Sequence, residues 1–260
     1  MPNSALPAGL IVWGVDEEDT ESLKLAQRLG VKLVNSEEPP DGAEWILFYE
    51  DEALYLFCPG HPDFKPITID FLAGDFARRW KGASRNDMLA KALGLKKGTR
   101  TILDATCGFG YDAFFLATFP EVEVYACERH PVAAELVMNA FLRVKEMGRF
   151  EEFPLYFHFG DSKDFMADPQ TPAFDAIFLD PMYPRDETKS AKQKKEMQLY
   201  RELVGKDPDV LDLFKAAWAK ARKRVVVKRP DDAPTIAVGR EPDFSLEGKT
   251  VRYDIYLKNP

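Results

Sequence analysis

From Thr101 onward, short apolar runs alternate with longer amphipathic runs, and this alternation restricts the chain to a small number of folds. The apolar runs are predicted to be strands at residues 101–105, 122–127, 155–159, 173–179, 224–228 and 251–257. The amphipathic runs are predicted to be helices at about residues 111–119, 131–147 and 208–223. This pattern is typical of a doubly wound parallel sheet. We therefore predict an α/β chain with its ligand at the carboxyl ends of the strands.

A small α/β module is predicted to precede this sheet. Strand-like runs occupy residues 10–13, 31–34, 45–49 and 53–57, with a helix at about 21–29 and a further strand at 67–71. We divide the chain into a module of residues 1–70 and a larger domain of residues 71–260. Residues 1–60 carry 12 acidic and 3 basic side chains, so the net charge of −8 arises entirely in the module.

Composition excludes several classes of protein. The chain is 45% hydrophobic and 30% charged, which excludes disordered and low-complexity chains. Its three cysteines and three histidines show neither CxxC nor HExxH spacing, so we expect reduced thiols and no metal site. We see no signal-peptide pattern, and the apolar runs are too short to cross a bilayer. We therefore expect a cytoplasmic protein without a membrane segment; its oligomeric state is not predicted.

A glycine-rich loop, DATCGFGYD at residues 104–112, follows the first strand of the larger domain. Gly108 and Gly110 would let the backbone approach a ligand closely, and Asp104 lies at the strand end. The loop also satisfies the GxGxxA pattern of dinucleotide-binding proteins, and it could equally be a glycine turn with no ligand. The loop alone does not separate these alternatives.

Acidic residues follow the next two strands. Glu128 ends the second strand, where a carboxylate can accept hydrogen bonds from both hydroxyls of a ribose. The alternative for Glu128 is a surface ion pair with Arg129. Gly160 and Asp161 follow the third strand, where the acid could accept the amine of an adenine or, alternatively, cap the next helix.

The fourth strand runs directly into the sequence DPMYP at residues 180–184. The Asp180 carboxylate and the Pro181 carbonyl could accept the two hydrogens of a planar amine, while Tyr183 stacks on its ring. A simple Asp-Pro turn is the alternative. Four such loops at the ends of four successive strands favour a single site.

Two basic clusters predict contacts to RNA despite the negative net charge. The first cluster contains Arg185, Lys192, Lys194 and Lys195. The second is a run without an acid over residues 215–229, ending with Lys228 and Arg229. A solvated helix face is the alternative for either cluster.

The four loops resemble those of class I S-adenosylmethionine (SAM)-dependent methyltransferases, whose fourth loop carries a (D/N)PP(Y/F) motif. Met182 departs from the second proline of that motif. This variant is similar to the RsmJ-type methyltransferases, which modify guanine N2 in bacterial small-subunit (16S) ribosomal RNA. The similar stretches are DATCGFGYDAF (104–114), LDPMYP (179–184), KKEM (194–197), KRVVVKRPDDAP (223–234) and RYDIY (252–256).

The resemblance implies a Rossmann-like class I sheet with an antiparallel last strand, S-adenosyl-L-methionine as cofactor, and small-subunit ribosomal RNA or the 30S particle as partner. It implies catalysis by Asp180, Pro181 and Tyr183. The implied cofactor contacts are Asp104, Gly108, Gly110, Tyr111, Asp112, Glu128, Arg129, Gly160, Asp161 and Asp180. Tyr111 replaces an arginine that the family pattern leads us to expect, so only its backbone role carries over.

Three other functions remain open. A nicotinamide-dependent oxidoreductase could use the glycine loop, but it has no use for the Asp180 motif. A methyltransferase of DNA adenine or of a protein glutamine could use the same motif. A noncatalytic RNA-binding module could retain the fold, although it has no physical reason to keep Asp104, Glu128, Asp161 and Asp180 together.

Overall fold

The computed structural model describes residues 6–16, 18–148, 153–183, 195–205 and 209–259. It begins with a four-stranded sheet of order β2-β1-β3-β4, in which β1 is parallel to both neighbours and β3 is antiparallel to β4. Its elements are β1 (Leu10–Gly14), α1 (Thr20–Leu29), β2 (Lys32–Asn35), β3 (Trp45–Glu50) and β4 (Ala53–Phe57). Asp19 caps α1 by accepting a hydrogen bond from the Ser22 N–H.

A seven-stranded sheet follows, with the order β10-β11-β9-β8-β5-β6-β7. Its strands are β5 (Thr101–Asp104), β6 (Glu123–Glu128), β7 (Leu155–Phe159), β8 (Phe174–Leu179), β9 (Ala221–Pro230), β10 (Phe244–Glu247) and β11 (Val251–Leu257). Strands β5 to β9 run parallel, whereas β11 is antiparallel to β9 and β10. This confirms the predicted α/β class and the antiparallel last strand.

Helices cover both faces of this sheet. They are α2 (Gly74–Lys81), α3 (Met88–Ala92), α4 (Tyr111–Ala117), α5 (Pro131–Glu146), α6 (Ser162–Ala167), α7 (Lys195–Val204) and α8 (Val210–Lys220), with a 3-10 helix at Leu95–Lys97. α4 and α5 pack against β6 and β7, while α6 and α8 pack against each other and α8 also contacts β8 and β9. The two layers give the sheet a buried apolar core on each side.

Two of the differences between the predicted elements and the structure have a clear physical cause. The strand predicted at 67–71 is wrong, because only a single bridge joins Ile67 to Leu56 of β4. The last predicted helix ends at Lys220 rather than 223, because Ala221 already pairs with Phe174 of β8. Both differences arise from pairing between distant strands, which local periodicity does not encode.

The two sheets share one apolar core. Phe71 is 1% exposed and stacks on Phe114 and Phe141, at ring-centroid distances of 4.5 Å and 5.1 Å. Arg28 of α1 forms an ion pair with Glu135 of α5 at 2.9 Å. The N-terminal sheet therefore packs against α5, and the segment that follows it packs Phe71 against α4 and α5.

Arg224 of β9 links the larger sheet to α3. Its side chain is buried and donates a hydrogen bond to the Ala92 carbonyl at 3.0 Å. Gly94, with a φ of 75°, lies directly against this guanidinium: a Cβ at Gly94 would stand 2.5 Å from the Arg224 Cζ. Gly98 has a similar φ of 80°, but its Cβ would meet no atom within 4 Å.

We expect Gly94→Ala to destabilise the protein more than Gly98→Ala. Both variants carry the backbone penalty of a left-handed alanine, about 1 kcal/mol. Gly94→Ala also displaces the buried Arg224, which adds roughly 2 kcal/mol. Urea denaturation of the two variants measures the difference, and equal losses would show that Arg224 does not constrain this turn.

Candidate active site

The carboxyl ends of the parallel strands surround a cavity of about 440 Å³. It lies where the strand order reverses between β5 and β8, which is the usual ligand position in such sheets. All the residues predicted for catalysis or cofactor contact line it: Asp104, Gly108, Gly110, Tyr111, Asp112, Glu128, Arg129, Gly160, Asp161, Asp180, Pro181 and Tyr183. Lys228 and Arg229 line it as well.

The glycine loop needs glycine at both positions. Gly108 and Gly110 have φ values of 55° and 77°, a region that disfavours side chains. A Cβ at Gly110 would stand 2.5 Å from Val137 Cγ2, and one at Gly108 would stand 3.0 Å from the Tyr200 hydroxyl. The loop therefore passes closely between α5 on one side and the cavity on the other.

Glu128 is buried and orients the glycine loop. Its Oε2 accepts a hydrogen bond from the Gly108 N–H at 2.8 Å, and its Oε1 accepts one from the His130 N–H at 2.7 Å. The Tyr200 hydroxyl of α7 lies 3.4 Å from Oε2. Arg129 pairs with Asp209 at 3.0 Å, and Glu128 lies buried in the cavity wall rather than at the surface.

Asp161 both lines the cavity and caps a helix. Its Oδ1 accepts a hydrogen bond from the Lys163 N–H at 2.8 Å at the start of α6. The Lys163 ammonium lies 3.5 Å from its Oδ2 and also pairs with Asp209. The helix-cap alternative is thus present in the structure, and it fixes the carboxylate at the cavity wall.

A single ammonium links an acid in the first turn of α4 to the acid that follows β8. Lys228 Nζ lies 2.8 Å from Asp180 Oδ2 and 3.1 Å from Asp112 Oδ2. Arg79 of α2 contacts the other oxygen of Asp112 at 3.1 Å. Asp180 is held at its backbone too, because its N–H donates to the Thr106 hydroxyl at 2.6 Å.

Burial and charge pull the pKa values of these groups in opposite directions. Burial alone would lower the pKa of Lys228, but Asp112 and Asp180 hold that pKa well above its ordinary value. Burial would raise the pKa of Asp112, but Lys228 and Arg79 keep it below its ordinary value. Burial and then Asp112 raise the pKa of Asp104 well above its usual range, and the charge of Lys228 offsets only part of this rise.

Arg229 covers one face of Tyr183. The guanidinium carbon lies 3.7 Å from the centre of the Tyr183 ring, which is a cation–π contact. Arg229 is buried and also donates a hydrogen bond to the Pro234 carbonyl. Burial raises the pKa of the Tyr183 hydroxyl above its ordinary value. The ring is therefore held in a fixed orientation at the cavity wall.

Of the residues predicted to contact RNA, the structure describes three, and Lys195 lies apart from Lys228 and Arg229. Lys228 and Arg229 are engaged inside the cavity, whereas Lys195 donates to the Asp63 carbonyl at 2.8 Å, on the N-terminal module. The remaining three, Arg185, Lys192 and Lys194, lie outside the described residues.

The cavity wall also contains residues that sequence reasoning missed, among them Arg79 and Tyr200. Tyr200 belongs to α7, whose buried Leu199, Tyr200 and Leu203 have the spacing of an amphipathic helix, so this pattern could have revealed it. Arg79 follows no strand of the larger sheet. Its position depends on α2 packing against α4, where its guanidinium lies 4.4 Å from the Phe115 ring centre.

Comparison with known proteins identifies the family. A family model described as "Putative SAM-dependent methyltransferase" matches residues 24–258. The "Ribosomal RNA small subunit methyltransferase J" of Shewanella piezotolerans is 42% identical over 83% of this chain and 82% of its own. That of Pseudomonas aeruginosa strain PAO1 is 39% identical over 99% of this chain and 98% of its own. The chain belongs to the ribosomal RNA small subunit methyltransferase J family of SAM-dependent methyltransferases.

A solved structure supports the same fold for this methyltransferase. The crystal structure of a SAM-dependent methyltransferase from Neisseria gonorrhoeae is 27% identical, covers 96% of each chain, and superimposes with a TM-score of 0.69. The predicted class I methyltransferase fold, the family and SAM as cofactor are thereby confirmed.

The described residues of the methyltransferase also bear on metal binding and on membrane insertion. Within the described ranges, no three His, Cys, Asp or Glu side chains are grouped as metal ligands. Among the helices of the described residues, none has both the length and the apolar character that a membrane crossing needs.

Lys228→Met keeps the length of the side chain and removes the ammonium. We expect the free energy of unfolding to fall by on the order of 3 kcal/mol at pH 7.5, because Asp112 and Asp180 lose their shared cation. The lowered pKa of Asp112 stabilises the fold above the ordinary carboxyl pKa of about 4, and this contribution disappears as the pH falls. In the variant, burial raises the pKa of Asp112 once the Lys228 ammonium no longer opposes it. The buried carboxylate then takes up a proton as the pH falls, so the deficit of the variant should shrink between pH 7.5 and pH 4.5.

Urea denaturation at pH 7.5 and pH 4.5 tests this expectation. Lys215→Met is the matched control, because Lys215 forms an exposed pair with Asp212 and should cost at most about 1 kcal/mol. A loss in Lys228→Met that is the same at both pH values would contradict the proposed charge balance.

Proposed function

We propose that this methyltransferase transfers a methyl group from SAM to the exocyclic N2 of a guanine in small-subunit (16S) ribosomal RNA, in the cytoplasm. The observation that carries the proposal is the end of β8, where the Lys228 ammonium holds the Asp180 carboxylate beside Pro181 and Tyr183. The names of the curated relatives support a ribosomal RNA substrate.

The residues present fit the cofactor. Gly108 and Gly110 leave the loop backbone without side chains, and a Cβ at Gly108 would crowd the Tyr200 hydroxyl. The buried Glu128 lies at the end of β6, where a carboxylate can accept hydrogen bonds from vicinal hydroxyls of the ribose. We assign Asp161 to the adenine amine. When bound, SAM supplies a methyl group that is activated by its sulfonium.

The chemistry requires that the amine be oriented. The lone pair of a guanine N2 is delocalised into the ring, which makes the nitrogen a poor nucleophile. Two acceptors for its hydrogens, the Asp180 carboxylate and the Pro181 carbonyl, favour a pyramidal nitrogen with a localised lone pair. Lys228 fixes the acceptor oxygen, so the rate gain comes from orientation rather than from a strong base.

The base must leave its stack to enter the cavity. The Asp180 carboxylate and the Pro181 carbonyl lie at the end of β8 inside the cavity, so a base stacked within an RNA helix cannot reach them. Tyr183 presents one face to Arg229, which leaves its other face as the surface on which we place the guanine. Stacking of this kind contributes about 1 to 3 kcal/mol.

Glu128→Gln tests the ribose assignment. The variant removes the charge that strengthens the hydrogen bonds, so we expect SAM to bind about ten-fold more weakly in isothermal titration calorimetry. Glu123→Gln is the control, because Glu123 is exposed at the opposite end of β6. An affinity equal to that of the wild type would place the ribose elsewhere.

Asp180→Ala tests the acceptor assignment, with tritiated methyl transfer as the readout. We expect the rate to fall by about two orders of magnitude while SAM affinity changes only a few-fold. Asp180→Asn retains an acceptor oxygen and should keep part of the rate. Transfer by Asp180→Ala at the wild-type rate would show that this carboxylate does not hold the amine.

The same assay tests the substrate when small subunits, total RNA, DNA and a protein extract are offered side by side. We expect label in small-subunit RNA. Label in DNA or protein alone would favour the other planar amines. Confirmed SAM binding with no label in any pool would favour a noncatalytic module, and both outcomes would overturn the proposal.

A further inference from the structure

A third basic stretch of the chain lies outside the two clusters that the sequence singled out for RNA. Residues 76–100 contain eight lysines and arginines and one acid, Asp87, in a chain whose net charge is −8. Seven of these basic side chains belong to exposed residues, and one of the seven, Arg100, pairs with Glu121. We call the other six the basic strip: Arg78, Arg79, Lys81, Lys91, Lys96 and Lys97.

The earlier basic run at residues 215–229 offers little free charge by comparison. Arg224 and Arg229 are buried, and Lys228 lies between two carboxylates. Lys223 pairs with Asp175 at 3.1 Å, and Lys220 donates to the Asp168 carbonyl at 3.1 Å. Most of that charge is therefore used to hold the sheet and its helices together.

The basic strip extends away from the cavity alongside α4. At one end, Arg79 lines the cavity wall and contacts Asp112 in the first turn of α4. Beyond the last turn of α4, Arg85 reaches the Pro120 carbonyl and the Leu95 carbonyl next to Lys96. Because α4 has seven residues, it separates these two ends by roughly 10 Å.

Within the described ranges, half of the basic strip has neither an acidic partner nor a side-chain hydrogen bond, whereas Lys96 donates to the Asn86 side chain. Lys81, Lys91 and Lys97 form no salt bridge with any residue in the ranges that the structure describes. Arg78 pairs only with Asp75, in an ion pair whose two side chains are 78% and 77% exposed. Exposed pairs of this kind contribute little, so a stronger anion can compete for the guanidinium.

The chemistry of the basic strip points to a polyanion rather than to a protein partner. The apolar side chains of α3 and of the 3-10 helix, such as Leu89, Leu93 and Leu95, are buried in the core. The surface therefore offers ammonium and guanidinium groups without an apolar centre, whereas protein interfaces have such a centre. Repeated cations in a row match the phosphates of a nucleic acid backbone.

We infer that the basic strip binds the phosphate backbone of the substrate RNA and leads the target nucleotide to the cavity at Arg79. This inference rests on the proposed function, and it names the surface that this function needs. Phosphate contacts position a strand without reading its sequence, so the basic strip supplies affinity and register. The residues that line the cavity then select the base.

The test compares two triple variants that lose the same charge. Lys81→Ala, Lys91→Ala and Lys97→Ala together remove the unpaired half of the basic strip. Lys24→Ala, Lys32→Ala and Lys145→Ala together form the control, because these lysines are exposed on α1, β2 and α5. Each protein is titrated with fluorescently labelled, transcribed small-subunit ribosomal RNA between 50 and 300 mM KCl.

For the strip variant, we expect RNA affinity at low salt to fall about ten-fold and the slope of log K against log salt to fall by about 2. The KM for RNA should rise more than kcat changes. SAM affinity and the circular dichroism spectrum should match those of the control variant, which shows that the fold is intact.

Each remaining outcome has one meaning. Equal RNA affinity and salt slope in the strip and control variants, with wild-type methylation intact, would overturn the basic strip and leave the proposed function standing. If the wild-type protein methylates no RNA, the proposed function fails, and the inference that rests on it is overturned with it.

Discussion

The site depends on one ammonium group placed among three carboxylates. Asp104, Asp112 and Asp180 converge because the carboxyl ends of parallel strands meet where the strand order reverses. Burial, and then repulsion from the neighbouring Asp112, raises the pKa of Asp104. Lys228 enters from β9, the neighbour of β8, and pairs with both Asp112 and Asp180. The same contact that balances the charge therefore sets the position of the Asp180 carboxylate.

Much of the fold and of the cavity could be predicted because the motifs lie at strand ends. The alternation of strands and helices implies that Asp104, Glu128, Asp161 and Asp180 reach one edge of the sheet, and they line one cavity. The sequence does not reveal which strands become neighbours. The partnership of Lys228 with Asp180 needs β9 beside β8, and a list of basic residues cannot express this. For the same reason, a run of basic residues in the sequence need not form a positively charged surface in the folded protein.

The N-terminal module also acquires a structural role that its sequence did not suggest. It packs on α5 through Arg28 and Glu135, and it contacts α7 through His61 and Glu202 at 2.9 Å. The inner side of α7 carries Tyr200, which lies on Glu128 and on the Phe109 ring at a centroid distance of 4.3 Å. The module therefore supports one wall of the cavity. Its acidic surface and the basic strip leave the chain with strongly unequal charge along its length.

The central claim is that Asp180 and Pro181 present an exocyclic amine for methylation. The most direct measurement is nucleoside analysis by mass spectrometry of small-subunit RNA that the purified protein has methylated with labelled SAM. The account predicts that N2-methylguanosine carries the label, because only an amine with two hydrogens engages both acceptors. Label on a ribose oxygen or on a ring nitrogen would contradict it.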